Sequence, residues 1–315
     1  MQKTTKISKA PYVAIKKPIV TIGMPVFNCE KYVAAAIESV LKQSYTNIIL
    51  IISDNCSTDN TAQICKEYQL KDHRVIFYKQ KKNMGMFWNY NFVLKKSTTE
   101  FFLWNCGDDL LHHNFISTTL KIYKKIPDLV CVMSDVQSID RYDKDLDRYS
   151  LENIRLEKAE SSWSQTRGEF FKNPTSAIYF CWFGLMKTKA LQDISINYNG
   201  MVKRETASEI PLLAQLALKG KIISIPRVLK YYRVHDESIY MRQNRISTKI
   251  EKFKYLIIVS RILIDITYTS NLRFNEKIKL YLTTILTGLK LFKILFQPII
   301  KYLKKYLSKQ SEVTQ

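Results

Sequence analysis

Ile48-Ile-Leu-Ile-Ile-Ser53, running straight into Asp54-Asn-Cys-Ser-Thr-Asp59, is the stretch that decides the fold. Its first part is apolar throughout rather than at alternate positions, so a strand made from it must be covered on both faces. Its second part is turn chemistry, in which Ser57 or Thr58 can cap a following helix. Upstream, Ile19–Met24 is another short β-branched run, and from Glu30 to Gln43 apolar residues (Val33, Ala36, Ile37, Val40) recur at helical spacing. Downstream, Val75–Tyr78 predicts a third strand and the segment from about Met86 to Lys96 a helix. Phe101–Trp104 predicts a fourth strand that enters Asn105-Cys-Gly-Asp-Asp109. Strands alternating with helices imply an α/β architecture, a Rossmann-like, mostly parallel sheet with helices on both faces. Such sheets bind ligands beyond the carboxyl ends of their strands. Asn28, Asp54 and the Asp108–Asp109 pair each follow a predicted strand end, so three polar clusters are expected on one edge.

The bulk properties narrow the classes. With 315 residues, 46% hydrophobic and 12% aromatic, the chain has ample material for a core and is not disordered. A formal charge of +21 points to an anionic partner, whether nucleic acid, anionic lipid or a phosphorylated substrate, or else to lysines that supply solubility. The six cysteines form no CxxC pair and no zinc-ligand spacing with the four histidines, which fits a reducing compartment. There is no signal-peptide-like apolar stretch at the N-terminus and no run of about 18 uncharged apolar residues, so no membrane-spanning helix is expected.

The strand-end acids fit a nucleotide diphosphate. Asp54 can accept hydrogen bonds from a base imide or a ribose hydroxyl. Adjacent carboxylates at Asp108 and Asp109, behind a flexible Gly107, can hold a hard divalent cation that bridges diphosphate oxygens. The competing reading is a cap for the helix expected near His113–Lys125, and it weighs most for Asp109.

Several motifs in serial order carry a family resemblance. Pro25-Val-Phe-Asn28, Tyr32, Ala36–Gln43, Ser53–Asp59, Asn83-Met-Gly85 and Asn89-Tyr-Asn91 resemble family 2 glycosyltransferases of the GT-A fold, over roughly Lys17 to Ser238. Asp108–Asp109 fall where the family's D-x-D metal motif ends, with Cys106 where its first acid usually stands. The resemblance implies that Asp54 contacts the base and that Pro25, Phe27 and Asn28 shape the nucleotide pocket, with Asn83, Gly85 and Asn89 on the same donor side. It also places Mg²⁺ or Mn²⁺ on Asp108, with Asp109 close by. Ser208–Gly220 looks like the family's acid-bearing helix, and alignment on Leu212–Gly220 puts Glu209 at the position of the catalytic base. Glu205 is the reserve, and a plain helix-dipole role for Glu209 is the alternative. Tyr231–Ser238 resembles the closing Y-R-x-H-x-x-S segment, which implies that His235 approaches the metal or diphosphate and that Arg233 offers charge to the phosphates. The implied activity is inverting transfer from a nucleotide-diphosphate sugar to a hydroxyl of a glycan or lipid-linked acceptor. The implied setting is bacterial polysaccharide or lipopolysaccharide assembly, cytoplasmic or peripheral on the inner membrane.

Beyond these motifs, Leu129–Asp135 predicts a strand ending in an acid, and Ser138–Ser164 a mobile loop near the acceptor. Phe180–Met186 is either a core strand or a sugar-stacking face. The expected organisation is a polar leader over 1–16, the catalytic domain over 17–240, a basic amphipathic helical extension over 241–309 and a tail over 310–315. From Glu276 to Lys309 there are eight lysines and one acid, which suits either an anionic membrane surface or a helical pair packed on the domain. A nucleotidyltransferase is an alternative, although Gly23–Asn28 holds one glycine where a glycine-rich phosphate loop is wanted. A non-catalytic sugar binder or a basic nucleic-acid binder is another; no nucleic-acid motif is recognised and no such partner is expected.

Overall fold

The computed structural model describes residues 19–161, 163–171, 177–194, 209–236 and 249–290. Its first half follows the alternation of the sequence: β1 (Val20–Val26), α1 (Val33–Leu41), β2 (Ile48–Asp54), α2 (Thr61–Lys71), β3 (Val75–Lys79), α3 (Met86–Lys96) and β4 (Phe101–Trp104). These strands lie in the order β3-β2-β1-β4, all parallel. Every residue of β1 is buried, as continuous apolar runs require when helices cover both faces. Helix α3 sits close on β1 because Gly23 leaves room for it; a Cβ there would meet Val93 Cγ2 at 2.7 Å and the Phe102 ring at 2.6 Å. Parallel register sets Pro25 beside Ser53 and Val26 beside Asp54, so the loops after β1 and β2 start side by side.

The second half comprises β5 (Leu110–Leu111), α4 (Phe115–Tyr123), β6 (Leu129–Ile139), β7 (Asp145–Tyr149), α5 (Leu156–Ser161), α6 (Trp163–Gly168), β8 (Leu185–Lys187), α7 (Thr188–Gln192), α8 (Glu209–Lys219), β9 (Lys221–Arg233) and α9 (Lys249–Thr269). A last helix, α10, runs through residues 274–290. The sheet continues from β4 through β8, β6 and β9 to β5, with β7 paired to β6. Strand β8 is antiparallel to both its neighbours, β5 is antiparallel to β9, and β6 and β9 are parallel. The sheet is therefore parallel on one side and mixed on the other. Near Asp135 the β6–β9 register slips: Ser134 pairs with Ile225 but Asp135 with Val228, leaving Pro226 and Arg227 as a bulge.

Three local expectations change. Ser138–Ser164 is not a loop: β6 runs on to Ile139, β7 pairs with it, and α5 follows. The cause is Asp135, which lies inside β6 rather than at its end and is buried. It accepts from Arg155 Nη2 at 2.7 and 2.9 Å, Arg148 Nη2 at 3.1 Å and the Leu151 amide at 3.1 Å. Phe180–Met186 divides into the end of a 3-10 turn (Ala177–Phe183) and β8, with Trp182 stacked on Trp104 at 4.6 Å in the core. At the start of α2, Asp59 Oδ1 rather than Ser57 or Thr58 takes the Thr61 amide, at 3.0 Å. No described helix is long and apolar enough to cross a membrane. Residues 291–309 of the basic extension, the leader and the tail lie outside the described residues.

Candidate active site

The loops beyond β1, β2 and β3 are knitted into one arch. Asn28 sits in the left-handed region (φ 49°), where asparagine is tolerated. Its amide donates to Ser57 Oγ at 2.9 Å and its Oδ1 accepts from the Thr58 amide at 2.9 Å. Asp54 is buried, and both its oxygens accept from the Ser57 amide at 3.2 Å while the Ser57 hydroxyl donates to Oδ1. The carboxylate of Asp54 thus shapes its own turn. Asn55 joins the next loop: its Nδ2 donates to Asn83 Oδ1 at 2.9 Å and to the Gly85 carbonyl at 3.2 Å, and its Oδ1 accepts from the Met84 amide at 2.9 Å. Gly85, at φ 87°, has a backbone that side-chain-bearing residues rarely adopt, and it starts α3. Asn89 on α3 is buried and donates to the Ser53 carbonyl at 2.8 Å. Pro25 is buried in β1, whereas Phe27 stands 45% exposed beside the arch. Asn28, Asp54, Asn83, Gly85 and Asn89 are therefore brought together, with Asn55 as the joint that sequence reading missed.

The second component is the loop Asn105–Asp109, held from across the sheet by β9. Gly107 is not a flexible link but a close-packed wedge: a Cβ there would meet Cys29 Sγ at 2.7 Å and Val26 Cγ1 at 2.8 Å. Asp109 does not cap α4. It is buried, its Oδ1 accepts from the Arg233 amide at 3.0 Å, and its Oδ2 lies 3.0 Å from Lys230 Nζ. Lys230 is itself fully buried, donates to Asn105 Oδ1 at 2.6 Å and lies 4.9 Å from the centre of the Phe183 ring. Burial drives the Asp109 carboxyl upward and the Lys230 ammonium pulls against it. Arg233 is engaged by protein acceptors: Nε donates to the Asp108 carbonyl at 2.9 Å, Nη1 to the Asp140 carbonyl at 2.8 Å and Nη2 to Asp143 Oδ1. Its side chain is 2% exposed, so in this structure it braces the loop instead of presenting charge to a phosphate. Asp108 differs from its neighbour. It is 26% exposed, and its Oδ2 lies 3.1 Å from His235 Nε2, whose ring packs 4.8 Å from Tyr32.

Residues 21–195 match Glycosyl transferase family 2. The chain belongs to this family. GlyG of Streptococcus pneumoniae serotype 4 is 25% identical over 229 residues, covering 70% of this chain and 72% of GlyG. The structure of S. aureus TarS 1-349 in complex with UDP-GlcNAc matches with a TM-score of 0.62 at 15% identity, over 85% of this chain and 71% of that one. The mannosyltransferase PcManGT from Pyrobaculum calidifontis, in complex with GDP-Man and Mn²⁺, matches at 0.57 and 12% identity, over 95% of this chain and 81% of that one. These likenesses show a shared GT-A fold. The chain spans only 15% and 20% of the length of two further relatives that it matches.

Within this family 2 glycosyltransferase the fit to a metal is uneven. Ligand atoms of Cys106, Asp108 and Asp109 lie within 4.8 Å of one another. Asp108 offers a partly exposed carboxylate beside His235, which suits a divalent cation. Asp109 Oδ2 is buried without an aligned hydrogen-bond donor, although Lys230 already neutralises it. Cys106 does not fit. Burial, with Asp109 and Asp108 nearby, raises its thiol well above the usual range, and its Sγ lies 2.8 Å from the Tyr90 hydroxyl. A protonated thiol is a poor ligand for Mg²⁺ or Mn²⁺. Glu209 begins α8, but its side chain and the whole of Glu205 lie outside the described residues.

Proposed function

We propose that this chain is an inverting glycosyltransferase that moves a sugar from a nucleotide-diphosphate donor to a hydroxyl of a glycan or lipid-linked acceptor. The observation that carries this reading is the pairing of a partly exposed Asp108 with a nearly buried His235, set between the donor-side arch and the end of β9. The complexes of TarS with UDP-GlcNAc and of PcManGT with GDP-Man and Mn²⁺ support the donor class. Asp108 and His235 would hold the divalent cation, Mg²⁺ or Mn²⁺, with Asp109 behind them. When bound, that cation would offset the negative charge of the departing diphosphate. Phe27 would cover the nucleotide, and the arch from Asn28 through Asp54, Asn83 and Gly85 to Asn89 would fix the pocket's floor.

Glu209 is proposed as the base. It accepts the proton of the acceptor hydroxyl as that oxygen bonds to the anomeric carbon and the bond from that carbon to the diphosphate oxygen breaks on the opposite face. The nucleoside diphosphate leaves, and the configuration inverts. A cytoplasmic role in bacterial polysaccharide or lipopolysaccharide assembly fits the six free cysteines.

A panel of nucleotide sugars, scored for thermal stabilisation with Mn²⁺ and for nucleoside diphosphate release, tests the reading. One donor should stand out. Asp108→Ala and Glu209→Ala should each abolish transfer while the circular dichroism spectrum stays native. Full transfer by both variants, or release of pyrophosphate instead of nucleoside diphosphate, would overturn it.

A further inference from the structure

Helix α10 is docked the wrong way round for a soluble protein. At about 100° per residue, Phe274, Ile278, Leu282, Ile285, Leu286 and Leu289 share one stripe covering roughly 120° of the helix and about 22 Å of its length. All six are exposed, from 39% for Ile278 to 80% for Phe274. The residues that turn inward, on roughly the opposite side, are Leu280 and the polar Thr284, both buried.

The docking is specific. Glu276 pairs with Arg167 of α6, Lys277 Nζ donates to the Tyr268 carbonyl of α9 at 2.8 Å, and a Cβ on Gly288 would lie 3.6 Å from Ser260 Oγ of α9. A helix held in this orientation presents large apolar side chains outward, where burying them would be favourable.

We infer that this stripe is a docking face for an anionic lipid surface. Charge complementarity selects that occupant. Exposed Lys279 and Lys290 border the stripe, and Glu276, the sole acid of α10, is already paired with Arg167. Residues 291–309 add five lysines and no acid to the sequence. A second copy of the chain would set its own basic stripe, on a molecule of net charge +21, against this one, whereas anionic headgroups attract it. The apolar stripe would sit at the level of the acyl chains and the lysines at the headgroups, as in helices that lie in the plane of a membrane.

Co-sedimentation of the full chain with vesicles tests this without donor or acceptor. Binding to phosphatidylcholine vesicles containing one part in three phosphatidylglycerol should exceed binding to phosphatidylcholine alone by about tenfold or more, and should weaken as salt is raised. Leu282→Gln combined with Leu286→Gln should reduce binding by about tenfold or more, with an unchanged melting temperature because both side chains are already exposed. Lys279→Glu combined with Lys290→Glu should reduce the preference for anionic vesicles. Wild-type protein indifferent to the vesicles, or a leucine double variant that binds as wild type, would overturn the inference. So would a dimer in light scattering that the leucine substitutions dissolve, or a fall in their melting temperature, since either would mean that protein already covers the stripe.

Discussion

In the parallel half of the sheet, Asp54 finds its partner three residues away, in the amide and hydroxyl of Ser57. In the mixed half, Asp109 and Asp108 find theirs 124 and 127 residues away, at Arg233 and His235 on or just past β9. A local turn of the first kind can form as soon as its strand does. The loop at 105–109 takes its shape only when β9 lies in register, so the chemistry of Asp108 depends on assembly of the whole sheet. The two halves meet at Gly107, which presses against Val26 and Cys29.

The sharpest way to break this contrast is Lys230→Met. It leaves the Asp109 carboxylate buried without its cation and should cost about 3–5 kcal/mol in denaturant unfolding. Adding Asp109→Asn should recover much of that loss. Unfolding of the single variant at the wild-type midpoint would show that β9 is not the anchor of the loop. Asp54→Ala should cost about 2 kcal/mol, because the Ser57 amide and hydroxyl lose a buried acceptor; a neutral result would mean that the turn holds without it. Gly107→Ala tests the seam itself. Overpacking against Cys29 Sγ and Val26 Cγ1 should cost about 1–2 kcal/mol, and Cys29→Ala should relieve part of it. The smallest effect on stability is expected for Asp108→Asn, within about 0.5 kcal/mol since the side chain is partly solvated. Its transfer rate should nonetheless fall by on the order of a hundredfold or more. A large stability loss at Asp108 would place it with the structural acids instead.

The same contrast explains what the sequence could tell. In the parallel half, continuous apolar runs bounded by turn residues mark β2 and β4, and helical spacing marks α1, observed at Val33–Leu41 inside the expected Glu30–Gln43. In the mixed half, reading stopped at charges. Asp135 marks the middle of β6 because Arg155 and Arg148 neutralise it from later in the chain, and no local pattern announces that pairing. Lys230 was overlooked for the same reason, although a lysine directly after apolar Val228-Leu229 in a strand-like run signals a buried cation in need of an acid. Arg233 is expected from the sequence to offer charge to a diphosphate, but its fork is engaged by Asp140, Asp143 and the Asp108 carbonyl. As a candidate base, Glu209 rests on family resemblance alone, since a glutamate at a helix start is ordinary by its own chemistry.

The bulge at Pro226–Arg227 gives β9 a further meaning, in the vocabulary of inheritance. Register counts in whole residues, so losing a single codon between Val228 and Arg233 would turn Lys230 to the other face of the sheet and carry Arg233 away from Asp109. The same loss in the 140–144 turn would leave every strand in register, but it would disturb the Asp140 and Asp143 acceptors of Arg233. Descendants of this sequence should therefore hardly vary in length along the second part of β9. That short span is a ruler against which a loop more than a hundred positions earlier is measured.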